Sequence, residues 1–227
     1  MTLWILALLL FPGCTPSPHE EPATPGNQAL LPEDPRLPML DSTWQLLLDR
    51  LQSGQPASIV KPMLTDSSQQ WLEDMENAAA TETPEEVETR PFYEQMTILT
   101  YRMFDREGVL NGVYYDRLLQ LVMGQNSTIV RKVKELELGP FEIRNDRGAR
   151  GLATSPHVAI LYFTWIDQCW KFDLLATMPI VLRGYETIGI KKDWATSKTA
   201  LYLLEKSYRH QLKRDPDSTL FDPVPPM

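Results

Sequence analysis

The sequence predicts an α+β fold: an N-terminal helical layer packed on a curved antiparallel sheet and closed by a C-terminal helix. Three observations predict it. Residues 41 to 124 place apolar side chains at helical spacing, residues 136 to 174 change to strand-like alternation, and residues 195 to 213 return to the helical period. Helices, then a meander, then a helix is the order of an α+β domain rather than of alternating βαβ units.

Asp41 or Ser42 can cap the first helix, whose Trp44, Leu47, Leu48 and Leu51 follow the i, i+3, i+4, i+7 rule, and Gly54 ends it. Pro56 can open a short second helix through Val60. Asp66 stands three residues before Gln69, a capping-box spacing that begins a helix with Trp71, Leu72 and Met75. Thr83-Pro84-Glu85-Glu86 is a complete capping box with proline at the first helical position. Pro91 restarts the chain into a longer helix striped by Phe92, Met96, Leu99 and Met103, and another runs from about Gly112 to Met123.

The sheet follows. Leu136 to Ile143 alternates, Asn145-Asp146-Arg147-Gly148 has turn chemistry, and Ala149 to Thr154 can return as the hairpin partner. Val158 to Ile166 is apolar at nearly every position, as in a central strand covered on both faces. Asp167-Gln168-Cys169 can turn the chain into Trp170-Lys171-Phe172-Asp173-Leu174, which alternates again with Asp173 set beside Lys171. The closing helix, 195 to 213, turns Leu201, Leu204 and Tyr208 inward. Trp44, Leu47, Phe92, Leu99, Leu161, Phe163 and Trp170 are the expected core.

The 227 residues are 43% hydrophobic, enough to bury a core in one domain or two small ones. The net charge of -8 argues against a general nucleic-acid binder, which needs a basic face for phosphates. Seven prolines fall between residues 15 and 40, with Glu20, Glu21, Glu33 and Asp34 among them, so 14–40 reads as an extended tether. The folded domain is then 41–213. The proline-rich tail 214–227 reads as disordered.

At the N-terminus the apolar run Leu3 to Phe11 is followed by Pro12-Gly13 and then Cys14. This resembles the export signal of a bacterial lipoprotein. The resemblance implies cleavage of residues 1–13, a diacylglyceryl group on the Cys14 thiol, and residence in the cell envelope. Phe11 and Pro12 depart from the usual residues of that box, and the segment before the run carries no Lys or Arg. An ordinary cleaved signal remains the alternative. A stable spanning anchor is disfavoured, since the run is about half the roughly 20 residues a bilayer needs. Thr15 after the cysteine implies, by the same resemblance, the outer membrane facing the periplasm. With Cys14 acylated, Cys169 has no partner in the chain, and a small, partly buried role is expected for it.

The helical layer, the curved sheet and the Trp170-Lys171-Phe172-Asp173-Leu174 segment after a tight hairpin resemble the NTF2-like, or cystatin-like cone, superfamily. The resemblance covers roughly residues 41 to 213. It implies a cone whose interior can be a pocket, but it does not fix function, because the superfamily includes isomerases, dehydratases, transport factors and inert binding domains.

The sequence contains no H-E-x-x-H, G-x-S-x-G, P-loop or C-x-x-C pattern, and no metal site or cofactor is expected. His157 lies before a strand, where a solvated role is the ordinary one. Arg144, Arg147 and Arg150 crowd one hairpin and either meet an anionic lipid or polysaccharide or protect an edge from pairing. An NTF2-like enzyme of isomerase or dehydratase type would need a carboxylate and a tyrosine in an apolar cavity. Asp167 and Asp173 are the candidate carboxylates, and Tyr93, Tyr101 and Tyr162 the hydroxyls. The preferred reading is non-catalytic: a membrane-anchored lipoprotein that binds or assembles with an envelope protein or a small apolar ligand. The second apolar face of residues 158 to 166 is expected to meet the closing helix, and the alternative is a sheet-to-sheet homodimer with Trp165 as its aromatic anchor.

Overall fold

The computed structural model describes residues 34–53, 55–108, 114–123, 135–210 and 212–224. Cys14, the expected signal segment and most of the expected tether lie outside the described residues. The architecture is α+β. Among the described residues, six helices precede a four-stranded antiparallel sheet in the order β1-β2-β3-β4, and two helices follow it.

Helix α1 (Leu37–Gln52) starts four residues before Asp41, so the folded domain takes in part of the expected tether. Pro38 does not prevent this, because it sits in the first turn, where the helix has no use for its missing N–H. Leu40, Trp44, Leu47 and Leu51 form one buried stripe. A short helix α2 (Ala57–Val60) and a 3₁₀ turn (Lys61–Met63) lead to α3 (Asp66–Thr81). The cap of α3 is Thr65 rather than Asp66. Thr65 has extended backbone, and its hydroxyl accepts from the Ser68 N–H at 3.2 Å. The expected capping box opens α4 (Pro84–Thr89): Thr83 Oγ1 accepts from the Glu86 N–H, and the Glu86 carboxylate accepts from the Thr83 N–H. Helices α5 (Phe92–Arg106) and α6 (Tyr114–Met123) complete the layer.

Strands β1 (Leu138–Arg144) and β2 (Arg147–Leu152) form the first hairpin, and β3 (Ser155–Ile166) and β4 (Cys169–Phe172) the second. Asp167 and Gln168 both have left-handed φ, 48° and 61°, as a two-residue hairpin turn that follows the strand twist requires. Register shifts in β1/β2 and β2/β3 mark bulges that bend the strands. Gly151 permits one of them, since a Cβ there would lie 2.5 Å from the Pro156 carbonyl oxygen. The register fixes the faces. Gly148 pairs with Phe163, which pairs with Phe172, and a Cβ on Gly148 would meet Leu40 at 2.5 Å. That face therefore lies against α1, with Trp44 edge-on to Phe163 at 6.2 Å. All seven expected core residues are buried.

Three further features differ from expectation. The last strand stops at Phe172, because Asp173 caps α7 (Leu174–Lys191) by accepting from the Ala176 N–H. Periodicity did not reveal this 18-residue helix. Its apolar residues run almost all round it, and it contains Pro179. The closing helix α8 (Thr196–Tyr208) packs on α5 and α7 rather than over the sheet. The tail is not wholly disordered. Ser218–Phe221 form a 3₁₀ turn with Leu220 and Phe221 buried, because apolar side chains between the prolines reach a groove of the core.

Candidate binding surfaces

The interior between α1, the sheet and the start of α7 is where a cone pocket would lie. Trp44, Leu47, Leu51, Leu161, Phe172 and Thr177 are among the side chains lining a cavity of about 30 Å³ there. That is room for one or two waters, about a tenth of the smallest ordinary ligand pocket. Its one polar lining group is already engaged, as the Thr177 hydroxyl accepts from the Tyr162 N–H at 3.2 Å.

The candidate acid–base groups do not converge. Asp167 occupies the exposed β3–β4 turn. Asp173 does not pair with Lys171, whose ammonium bonds the Pro62 carbonyl. Its carboxylate caps α7 and faces Arg147 at 3.7 Å. Tyr93 lies on α5, stacked at a tilt on Trp71 and donating to Glu94 at 3.2 Å. Burial, with the Glu94 carboxylate beside it, pushes its phenol up, away from any role as a base near neutral pH. Tyr101 is fully buried in α5. Tyr162 lies on the sheet.

Trp165 shares the α1-covered face with Leu161 and Phe163 and sits half-buried at its end. The Trp170 ring is 5.1 Å away, and the Arg36 guanidinium 5.6 Å above both rings. Arg36 also bonds the Asn145 carbonyl and the Asp146 carboxylate, which closes this corner where the described chain begins. Trp165 is thus not on the open side of the sheet. Cys169 is exposed rather than partly buried, because it is the first residue after the hairpin turn.

The open side of the sheet is polar and grooved. Glu142, Ala149 and Tyr162 lie side by side across β1, β2 and β3, and Arg144 stands directly opposite Arg147. With Pro156, His157 and Ala159 they line a groove of about 340 Å³. Two arginines in direct cross-strand register repel, and the local chemistry tempers this. Glu142 pairs with Arg144 at 3.0 Å, and Arg147 lies 5.4 Å over the Tyr162 ring. Arg150 is not part of this cluster. It points to the covered face, donates to the Gly139 carbonyl and lies over Phe141, and burial pulls its pKa down. The Arg147–Tyr162 pair depends on strand register, so residue spacing alone carries no signal of it.

Among the described residues no group of three or more His, Cys, Asp or Glu side chains is placed to hold a metal ion, and no helix is long and apolar enough to cross a membrane. Compared with known proteins, the chain matches no family profile, no curated protein and no solved structure.

Proposed function

We propose that this chain is a membrane-anchored, non-catalytic lipoprotein of the bacterial envelope, with Cys14 as the lipidated residue and an NTF2-like domain whose open sheet face binds an envelope protein or a second copy of the chain. The small interior cavity carries this reading. The cavity among the described residues between α1, the sheet and the start of α7, about 30 Å³, is too small for a substrate or an apolar ligand, so this reading places binding on the open sheet face. The groove around Tyr162 and Arg147 is the surface that combines an aromatic side chain, an arginine and concavity, the features enriched in interface centres. The helical layer set against a bent antiparallel sheet is what supports kinship with the NTF2-like fold.

Two measurements test this. Wild-type protein partitions into the detergent phase and Cys14→Ser into the aqueous phase, since several acyl chains hold a protein at a membrane far better than one. Equal aqueous partitioning of both removes the anchor. A photo-crosslinking residue at position 162 yields a discrete adduct in cells, which Arg147→Glu abolishes and which the same probe at exposed Glu85 does not give. The absence of a 162-specific adduct removes the partner surface.

A further inference from the structure

The geometry points to a second interaction surface: the corner between α7 and α8 is a docking face for an anionic lipid bilayer, built from Trp194 and Tyr202 ringed by lysines. The Trp194 and Tyr202 rings meet edge-on at 5.1 Å. Lys192 lies 4.5 Å from the Trp194 centroid and 5.3 Å from that of Tyr202, Lys198 lies 4.9 Å from Trp194, and Lys206 lies 5.6 Å from Tyr202. Lys198, Tyr202 and Lys206 follow one another at i, i+4, i+8 on α8, so they share one helix face. Beside them Ile190 is 72% exposed, the most open large apolar residue among those described.

Charge and shape select the occupant. Lys206 has Glu205 at 3.7 Å, whereas Lys192 and Lys198 have no carboxylate within ion-pair range among the described residues. Asp193 is the one acid in the turn itself. The corner is thus locally cationic on a chain of net charge -8. An exposed isoleucine beside half-buried Trp and Tyr, with long cationic side chains around them, matches the headgroup boundary of a bilayer. There amphipathic rings sit at the interface, and lysines reach anionic phosphates while their stems cover apolar surface. A long soluble polyanion would meet the same lysines, but it would leave Ile190 in water and face the acidic remainder of the molecule.

The corner is held rigid before any contact. A Cβ on Gly189 would lie 2.1 Å from Thr199 Oγ1, so the helices approach closely there. Asp193 takes a left-handed φ of 52°, and the Trp194 N–H bonds the Gly189 carbonyl at 3.0 Å. Little conformational freedom is left to lose on docking. The inference does not rest on the lipid at Cys14.

The test uses the full, unlipidated Cys14→Ser chain with vesicles of pure phosphatidylcholine and of phosphatidylcholine mixed with phosphatidylglycerol. Cosedimentation shows binding to the anionic vesicles, weakened by salt, and at least about tenfold weaker binding to the neutral ones. Lys192→Gln and Lys198→Gln each lower the affinity about fivefold. Trp194→Ala lowers it further at unchanged thermal stability. Inorganic phosphate competes no better than chloride at equal ionic strength. Equal binding to both vesicle types overturns the proposal. So does saturation by phosphate alone, equally tight binding of a soluble oligonucleotide, or loss of vesicle binding in Arg144→Gln/Arg147→Gln rather than in the lysine variants.

Discussion

Replacing Arg102 with Met lowers the unfolding free energy by about 3 to 5 kcal/mol, read as a shift in the urea midpoint. Arg102 has no exposed surface. A buried guanidinium is tolerable only if its donors are engaged, and here all five are directed at backbone carbonyls. Nε donates to Ala79 at 2.8 Å, Nη2 to Ala78 at 3.1 Å and to Glu82 at 2.7 Å, and Nη1 to Phe221 and to Leu220. Ala78 and Ala79 lie in the last turn of α3, so the cation also sits at the negative end of that helix. Burial, with Arg106 nearby, pulls the Arg102 pKa down to about 10, which leaves it charged at neutral pH. Met fills part of the volume and leaves five carbonyl contacts without their donor. Arg102→Lys falls between, because a three-donor ammonium cannot span the set. Since two of the contacts hold Leu220 and Phe221, both variants also speed proteolysis within residues 212 to 224. An unchanged midpoint in Arg102→Met would falsify the keystone role.

Phe163→Ala costs about 3 to 5 kcal/mol, the second large effect. Phe163 is fully buried at the centre of the covered sheet face. Its ring lies 6.2 Å from Trp44, 5.7 Å from Phe141 and 5.2 Å from Phe172. Truncation opens a void where α1, β1 and β4 meet, and the bulged, paired strands around it have little freedom to collapse inward. Val158→Ala on the same strand, at 60% exposure, changes stability by no more than about 0.5 kcal/mol. Guanidinium midpoints of the two variants check the contrast. Equal midpoints would mean that strand β3 presents the opposite face to α1.

The elements legible in the sequence are those whose signal is local. The Thr83-Pro84-Glu85-Glu86 box satisfies its own backbone donors within one turn, and it appears in the structure as expected. The Trp44, Leu47 and Leu51 stripe and the alternation of Leu161 with Phe163 declare one buried face each, and both faces are buried against each other. Helix α7 was not legible, because the segment is apolar on nearly all sides and carries Pro179 inside it. A period emerges only where one side is wet. The surface at its end, Trp194 with Lys192 and Lys198, was hidden with it.

What the sequence determined by itself is the class of the fold, the seven expected core residues and the order of the elements other than α7, because hydrophobic periodicity and capping act over a few residues. Contacts between distant segments were left to the tertiary structure. It placed Trp165 on the covered face beneath Arg36 and turned Asp173 from a strand residue into a helix cap. It set Arg147 over Tyr162, brought the tail 118 residues back onto Arg102, and left about 30 Å³ free in the described cavity between α1, the sheet and α7. Each of these depends on register or on the fit of side chains far apart in the chain, and no window of local sequence encodes either.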